Sequence, residues 1–128
     1  MAIRSAKEAK MHEIIIKSLA SVYESRGASK ILTNLEGNNN AVVDGITVDL
    51  IVKNPFPMHF KIETETSVKE GEAIAWKSIS EKIGTFFLMV PEPLKQEALR
   101  IINKNNIKNI RLCYYKIVDN KLKFINLP

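Results

Sequence analysis

The stretch at residues 48–66, VDLIVKNPFPMHFKIETET, limits what this chain can fold into more than any other. Residues 46–53 alternate and are rich in β-branched side chains, residues 58–65 do the same, and Asn54-Pro55-Phe56-Pro57 separates the two runs. That pattern predicts a β-hairpin, and its polar members are unusual. Asp49 sits among apolar strand residues. Lys61, Glu63 and Glu65 occur at every second position, so all three leave the same face of the strand.

Register decides what those acids do. With Asn54 opposite Met58 around a three-residue loop, Asp49 faces Glu63, Thr47 faces Glu65 and Ile51 faces Lys61. Opposed side chains have Cβ atoms roughly 4.5–5.5 Å apart. Two bare carboxylates that close repel, and one divalent cation between them removes the conflict. A slip of one residue would put them on opposite faces.

At these residues the chain resembles the PD-(D/E)xK nuclease superfamily, the restriction-endonuclease-like fold that includes archaeal Holliday junction resolvases. The family pattern is a strand carrying Asp, a short hairpin, and a strand carrying Asp/Glu-x-Lys. Here these are Val48-Asp49-Leu50-Ile51-Val52 and Ile62-Glu63-Thr64-Glu65-Thr66. Val48 stands where the family often has Pro, and Glu65 where it has Lys. The resemblance implies Asp49 and Glu63 as ligands of Mg²⁺ or Mn²⁺. Glu36, at the end of the first expected strand, is a third metal candidate, because some families of the superfamily carry an acid there. Glu65 is a catalytic candidate, and Lys77, on the following helix, is the candidate for a displaced lysine. For Glu36 and Lys77 the alternatives are a loop carboxylate and a solvated lysine. An acid on the first helix also belongs to the resemblance. Glu8 and His12 flank that helix's apolar stripe and Glu13 points away from it, so an ordinary helix surface is the plainer reading for all three.

The 128 residues suit one domain, 45% hydrophobic and 26% charged, which is a globular composition. No apolar run approaches the roughly 20 residues that span a bilayer, and the charged N-terminus lacks a signal-peptide core. The lone Cys113 suits a reducing compartment, so a cytoplasmic location is expected. The net charge is +5. Residues 95–123 hold eight basic side chains against Glu97 and Asp119, a net +6. A nucleic-acid backbone would need that counterweight beside a carboxylate site. A solvated helix face and lysine-guarded edge strands are the alternative.

The remaining elements follow from periodicity. Residues 5–25 read as a helix with Met11, Ile15, Ser18/Leu19 and Val22 as its stripe. Residues 29–35 read as a strand, and Asp44-Gly45 as a turn. Residues 68–83 form a helix striped by Ala73, Trp76, Ile79 and Ile83. Residues 85–90 read as a doubly buried strand, 94–103 as a helix, and 110–118 with 122–127 as a final hairpin, Tyr114 and Tyr115 on opposite faces. The order α-β-β-β-α-β-α-β-β predicts an α/β fold, a mixed central sheet flanked by helices, which is also the restriction-endonuclease-like order.

The resulting expectation is a Mg-dependent deoxyribonuclease that hydrolyses phosphodiester bonds, with DNA as partner. Many enzymes of that fold dimerise to cut two strands, so a homodimer is part of the expectation. A catalytically inactive nuclease-fold domain that binds DNA or a protein is the alternative, because the usual Asp/Glu-x-Lys lysine is absent. An assembly domain without a nucleic-acid role is the third reading. No glycine-rich phosphate loop or Ser/His/Asp arrangement supports another enzyme class.

Overall fold

The computed structural model describes residues 4–35, 38–54 and 56–128; the side chains of Asn38 and Asn39 are not described, and Glu36 lies outside these residues. The elements in chain order are α1 (Ala6–Ser25), β1 (Ile31–Leu35), β2 (Asn38–Asn39), β3 (Val42–Val43), β4 (Ile46–Thr47), β5 (Leu50–Val52) and β6 (Met58–Ile62). They continue with α2 (Ala73–Ile83), β7 (Phe86–Pro91), α3 (Lys95–Lys104), β8 (Ile110–Val118) and β9 (Lys121–Ile125). Short 3₁₀ turns at Glu70–Glu72 and Glu92–Leu94 lead into α2 and α3. The fold is α/β, as expected.

Seven strands form one mixed sheet in the order β2-β1-β5-β6-β7-β8-β9. β6, β7 and β8 run parallel and the other neighbours antiparallel. α2 therefore connects β6 to β7, and α3 connects β7 to β8, each between parallel neighbours. Alternation along the strands builds two cores. Leu50, Val52, Phe60, Ile62 and Met89 pack with Ile15, Ile16, Leu19 and Tyr23 of α1. Ile51, Phe86, Leu88 and Val90 pack with Trp76 and Ile79 of α2 and Ala98 and Ile101 of α3. No helix among the described residues is long and apolar enough to cross a membrane.

α1 begins where the sequence indicates, with the Ser5 hydroxyl accepting from the Glu8 N–H at 3.2 Å. Its buried line is Ile15, Ile16, Leu19, Ala20 and Tyr23, rotated from the expected stripe so that Tyr23, not Val22, is buried. Extended toward the N-terminus at helical spacing, that line runs through His12 and Glu8. Asp44 and Gly45 both have positive φ, +49° and +78°, and turn β3 into β4.

The central hairpin departs from expectation twice. Its first strand is not continuous: β4 pairs with β3, so Thr47 faces Val42 and not Glu65. The chain bends at Val48 and Asp49, and only Leu50–Val52 joins the main sheet. The register is also shifted by two residues, with Val52 opposite Met58, Ile51 opposite His59 and Leu50 opposite Phe60. Ile51 does not face Lys61, and Asp49 does not face Glu63. The cause lies in the connection. The Lys53 N–H bonds the Lys30 carbonyl, the Asn54 side chain donates to the Ser29 hydroxyl at 2.7 Å, and Pro57 has no N–H to give a ladder. A longer loop results. An even slip preserves faces, so Lys61 and Glu63 still leave the strand together.

Phe60 sits at the centre of the α1-side core, fully buried, with ring centroids 5.6 Å from Tyr23 and 5.3 Å from Phe87. Phe60→Ala should destabilise the protein by about 3–5 kcal/mol, measured by urea unfolding. A loss below about 1 kcal/mol would mean that this core does not hold α1 to the sheet.

Candidate active site

Three charged side chains converge where β6 ends. Phe60 and Ile62 enter the α1-side core, so Lys61 and Glu63 face the α2 side. Asp49 reaches them from the bend before β5. Its N–H bonds the Phe60 carbonyl at 2.9 Å, and its Oδ2 accepts the Ile62 N–H at 2.6 Å. Lys61 Nζ lies 3.7 Å from Asp49 Oδ2 and 3.8 Å from Glu63 Oε1. The two acids thus share a cation position, and an ammonium group from the chain itself occupies it.

Glu63 is wholly buried, and its neighbours account for most of its acceptor capacity. Trp76 Nε1 donates to Oε2 at 2.6 Å, while Ser67 Oγ at 2.8 Å and Arg4 Nη2 at 3.2 Å donate to Oε1. A carboxylate has about four acceptor positions, so one remains. Arg4 is held in turn by Thr64 Oγ1 at 2.8 Å. The Glu63 backbone is also fixed, its N–H on the Met89 carbonyl and its C=O accepting the Tyr115 hydroxyl at 3.1 Å.

Burial pushes the Glu63 carboxyl above the usual range, and Lys61, Trp76 and Ser67 only partly offset it. Burial pushes Asp49 the same way, but Lys61, His12 and the Ile62 N–H outweigh it and hold that carboxyl below its ordinary value. Burial lowers Lys61, and the two carboxylates raise it by more. Lys61 and Arg4 offset Asp49 and Glu63, and buried Glu72 adds a third acid that also acts on Lys61. His12 Nε2 lies 3.2 Å from Asp49 Oδ1, buried but not aligned for a hydrogen bond.

The cluster opens into a cleft of about 630 Å³ bounded by the β3–β4 turn and the first turns of α2. Arg4, His12, Asp49 and Lys61 line its floor, and Ile46 and Ile74 its lips. Glu72, buried, lies on the same cleft.

The other candidates lie elsewhere. Glu65 is exposed and lines a separate groove with Thr64, Pro91 and Tyr115. Lys77 lines another pocket with Asn106 and Lys108. Neither lines the cleft holding Asp49, and Glu36 is outside the described residues. Glu8 secures the turn after β6, accepting from the Thr66 N–H at 2.8 Å and the Thr66 hydroxyl at 2.7 Å. Glu13 does not line the cleft. Lys61 was visible in the sequence as the partner of Glu63 two residues away, but the assumed register placed it against Ile51. His12 follows from the rotated stripe of α1. Trp76 was read as core, which it is, but its indole N–H also serves the site. Arg4 precedes any regular element, and no periodicity points to it.

Two carboxylates converging on one cationic position are hard oxygen donors of the kind that hold Mg²⁺ or Mn²⁺. Among the described residues no group of three or more His, Cys, Asp or Glu side chains is arranged to hold a metal ion. Neither the models of known protein families nor the curated proteins yield a match to this chain.

Removal of the lysine tests the geometry. In Lys61→Met both carboxylates lose their shared cation, and stability at pH 7 should drop by roughly 3–5 kcal/mol. The Glu63 carboxyl, already held above its ordinary value by burial, then rises further, and Asp49 loses the largest influence that holds it down. The relative stability is present below about pH 4, the unfolded range, and is lost as pH rises through the folded values. The Tm gap between wild type and Lys61→Met should therefore narrow from pH 8 toward pH 4.5. A gap independent of pH would mean that Lys61 contributes packing alone. In the wild type Asp49 has the opposite sign: its contribution is present above about pH 4 and lost as pH falls through its lowered folded value.

Proposed function

We propose that this protein is a PD-(D/E)xK-type nuclease that hydrolyses phosphodiester bonds in DNA with Mg²⁺ or Mn²⁺. The observation that carries the reading is the convergence of Asp49, Lys61 and Glu63, an acid, a lysine and an acid, with Asp49 and Lys61 on an open cleft and Glu63 buried behind them. The element order supports it. α1 precedes the sheet, the acid-bearing hairpin β5–β6 is antiparallel, and α2 and α3 carry the chain through parallel β7 and β8. The lysine missing at position 65 has a counterpart at position 61, two residues from Glu63 in the other direction and on the same face.

Asp49 and Glu63 would hold the metal, which supplies a Lewis acid for the scissile phosphate and lowers the pKa of a bound water. Trp76, Ser67 and Arg4 fix Glu63 in one rotamer, so the acid is positioned before substrate arrives. The Ile62 N–H does the same for Asp49 Oδ2. Lys61, released from between the acids, would offer its ammonium to phosphate oxygens as charge builds on them. His12, beside Asp49 Oδ1, limits where that carboxylate can turn.

One observation favours the inactive, DNA-binding reading of the same fold. Arg4 and Lys61 already neutralise the two acids, and three acceptor positions of Glu63 are filled. Cleavage of branched, single-stranded and duplex DNA with Mg²⁺, Mn²⁺ or EDTA separates the two. The nuclease reading predicts metal-dependent cutting, reduced on the order of 10²–10³-fold in Asp49→Asn. Asn keeps an acceptor for the Ile62 N–H, so the fold should survive. Binding without cutting by the wild type would select the inactive domain.

A further inference from the structure

The last hairpin carries a charge pattern that packing does not explain. In the β8–β9 register Lys116 faces Lys123 directly, and Lys121 faces Val118. All three lysines leave the sheet on the side of Tyr114, which packs against the α2–α3 core. Lys95, at the start of α3, holds its Nζ 5.9 Å from the centroid of the Tyr114 ring. Four ammonium groups gather on one face.

Like charges directly opposed across two strands are destabilising. Lysines on an outer strand guard its free edge, which accounts for Lys121 and Lys123 on β9. Lys116 lies one residue past the last β7–β8 pair, Pro91 with Tyr115, so its β7 side is open too, but guarding an edge does not call for a second lysine directly opposite it on β9. None of the four lysines makes an ion pair among the described residues. Nearby acids make no ion pair with them: Glu97 is paired with Arg100, Asp119 occupies the hairpin turn at φ +52°, Glu65 lies on the groove beside Lys116, and Glu92, which follows Pro91 and stands three residues before Lys95, is the one acid set among them and bridges to none.

The patch is aligned with the acidic cluster. The Glu63 N–H bonds the Met89 carbonyl, which sets Glu63 level with Val90, and Val90 pairs with Tyr114. Glu63 and Tyr114 thus stand at one height, on one face, two strands apart. Lys116 lies one side-chain repeat further toward the strand ends, about 7 Å. Strand spacing puts Lys116 and Lys123 about 10 and 15 Å across the sheet from Glu63. That span covers roughly three to four base pairs of duplex at 3.4 Å each.

We infer that Lys95, Lys116, Lys121 and Lys123 form the track for a DNA backbone, holding phosphates roughly three to four nucleotides from the phosphate at the Asp49–Lys61–Glu63 cleft. The inference rests on the DNA reading above and deepens it. Its test needs no catalysis, so the two can fail separately.

Duplex DNA binding is measured by fluorescence anisotropy in EDTA between 50 and 200 mM salt, for wild type, Lys116→Gln/Lys123→Gln and Lys116→Gln alone. A Lys17→Gln/Lys30→Gln control removes equal charge elsewhere. In the paired variant the expected affinity loss is about tenfold, and the log–log salt slope should become shallower by about 2. Its Tm should stay the same or rise, because a like-charge pair is relieved. Lys116→Gln alone should change the slope by about half as much. Wild type that does not bind DNA, an unchanged slope in the paired variant, or an equal loss in the control overturns the track. So does loss of binding to phosphatidylserine vesicles with DNA binding kept, which would assign the patch to a lipid surface. If the paired variant behaves as expected but the wild type never cuts DNA, the track stands and the nuclease reading falls.

Discussion

Lys61 is the hinge of this structure's electrostatics. Its ammonium lies within 4 Å of two buried carboxylates that would otherwise repel across the end of β6. Buried charges of this kind are tolerated only when paired and hydrogen-bonded. Here all three charges are paired, and both carboxylates are hydrogen-bonded. The Ile62 N–H holds Asp49, Trp76 and Ser67 hold Glu63, and Arg4 completes the count of charge. The cluster joins the segment before α1, the bend before β5, the end of β6 and the first turn of α2, adding fixed polar contacts where Val48, Ile51 and Trp76 already pack in one core.

Such a cluster suits a site better than a scaffold. Hydrophobic side chains of similar volume often pack such a position at least as stably, yet the sequence keeps Asp49 and Lys61 at an open cleft with Glu63 buried behind them. Opposite pKa displacements of the acids follow from their surroundings: Asp49 meets Lys61, His12 and a backbone N–H, whereas for Glu63 burial prevails. Two carboxyl groups pushed apart in this way are a common arrangement where protons and metals are handled. At the far edge of the sheet the same face carries the unpaired lysines of β8 and β9, so acid and base are segregated along one surface.

How much of this was readable depends on which physical quantity encodes it. Strand alternation has period two, so the shared face of Lys61 and Glu63 was legible and survived a register error. The register was not, because it depends on how a proline-containing loop closes, and Asn54 spends its side chain on Ser29 instead of closing a tight turn. The plainer reading of His12 as ordinary helix surface fails for a related reason. The apolar stripe of α1 can be phased on Ile15 or on Ile16, and one residue of phase decides whether His12 and Glu8 face the sheet. Trp76 shows a buried aromatic ring with a polar tip, and hydrophobic patterning reports only the ring. Arg4 was illegible, since its position comes from tertiary contacts with Thr64 and Glu63 and not from any local pattern.

The most direct measurement is anomalous diffraction from crystals of the wild-type protein soaked in Mn²⁺. The account predicts a peak between Asp49 and Glu63, about 2.1 Å from an oxygen of each, with Lys61 Nζ moved out toward the cleft. Lys61 still bridging both carboxylates, with no peak at that point in a crystal saturated with Mn²⁺, would contradict a shared metal position and leave the three residues as a structural ion triad.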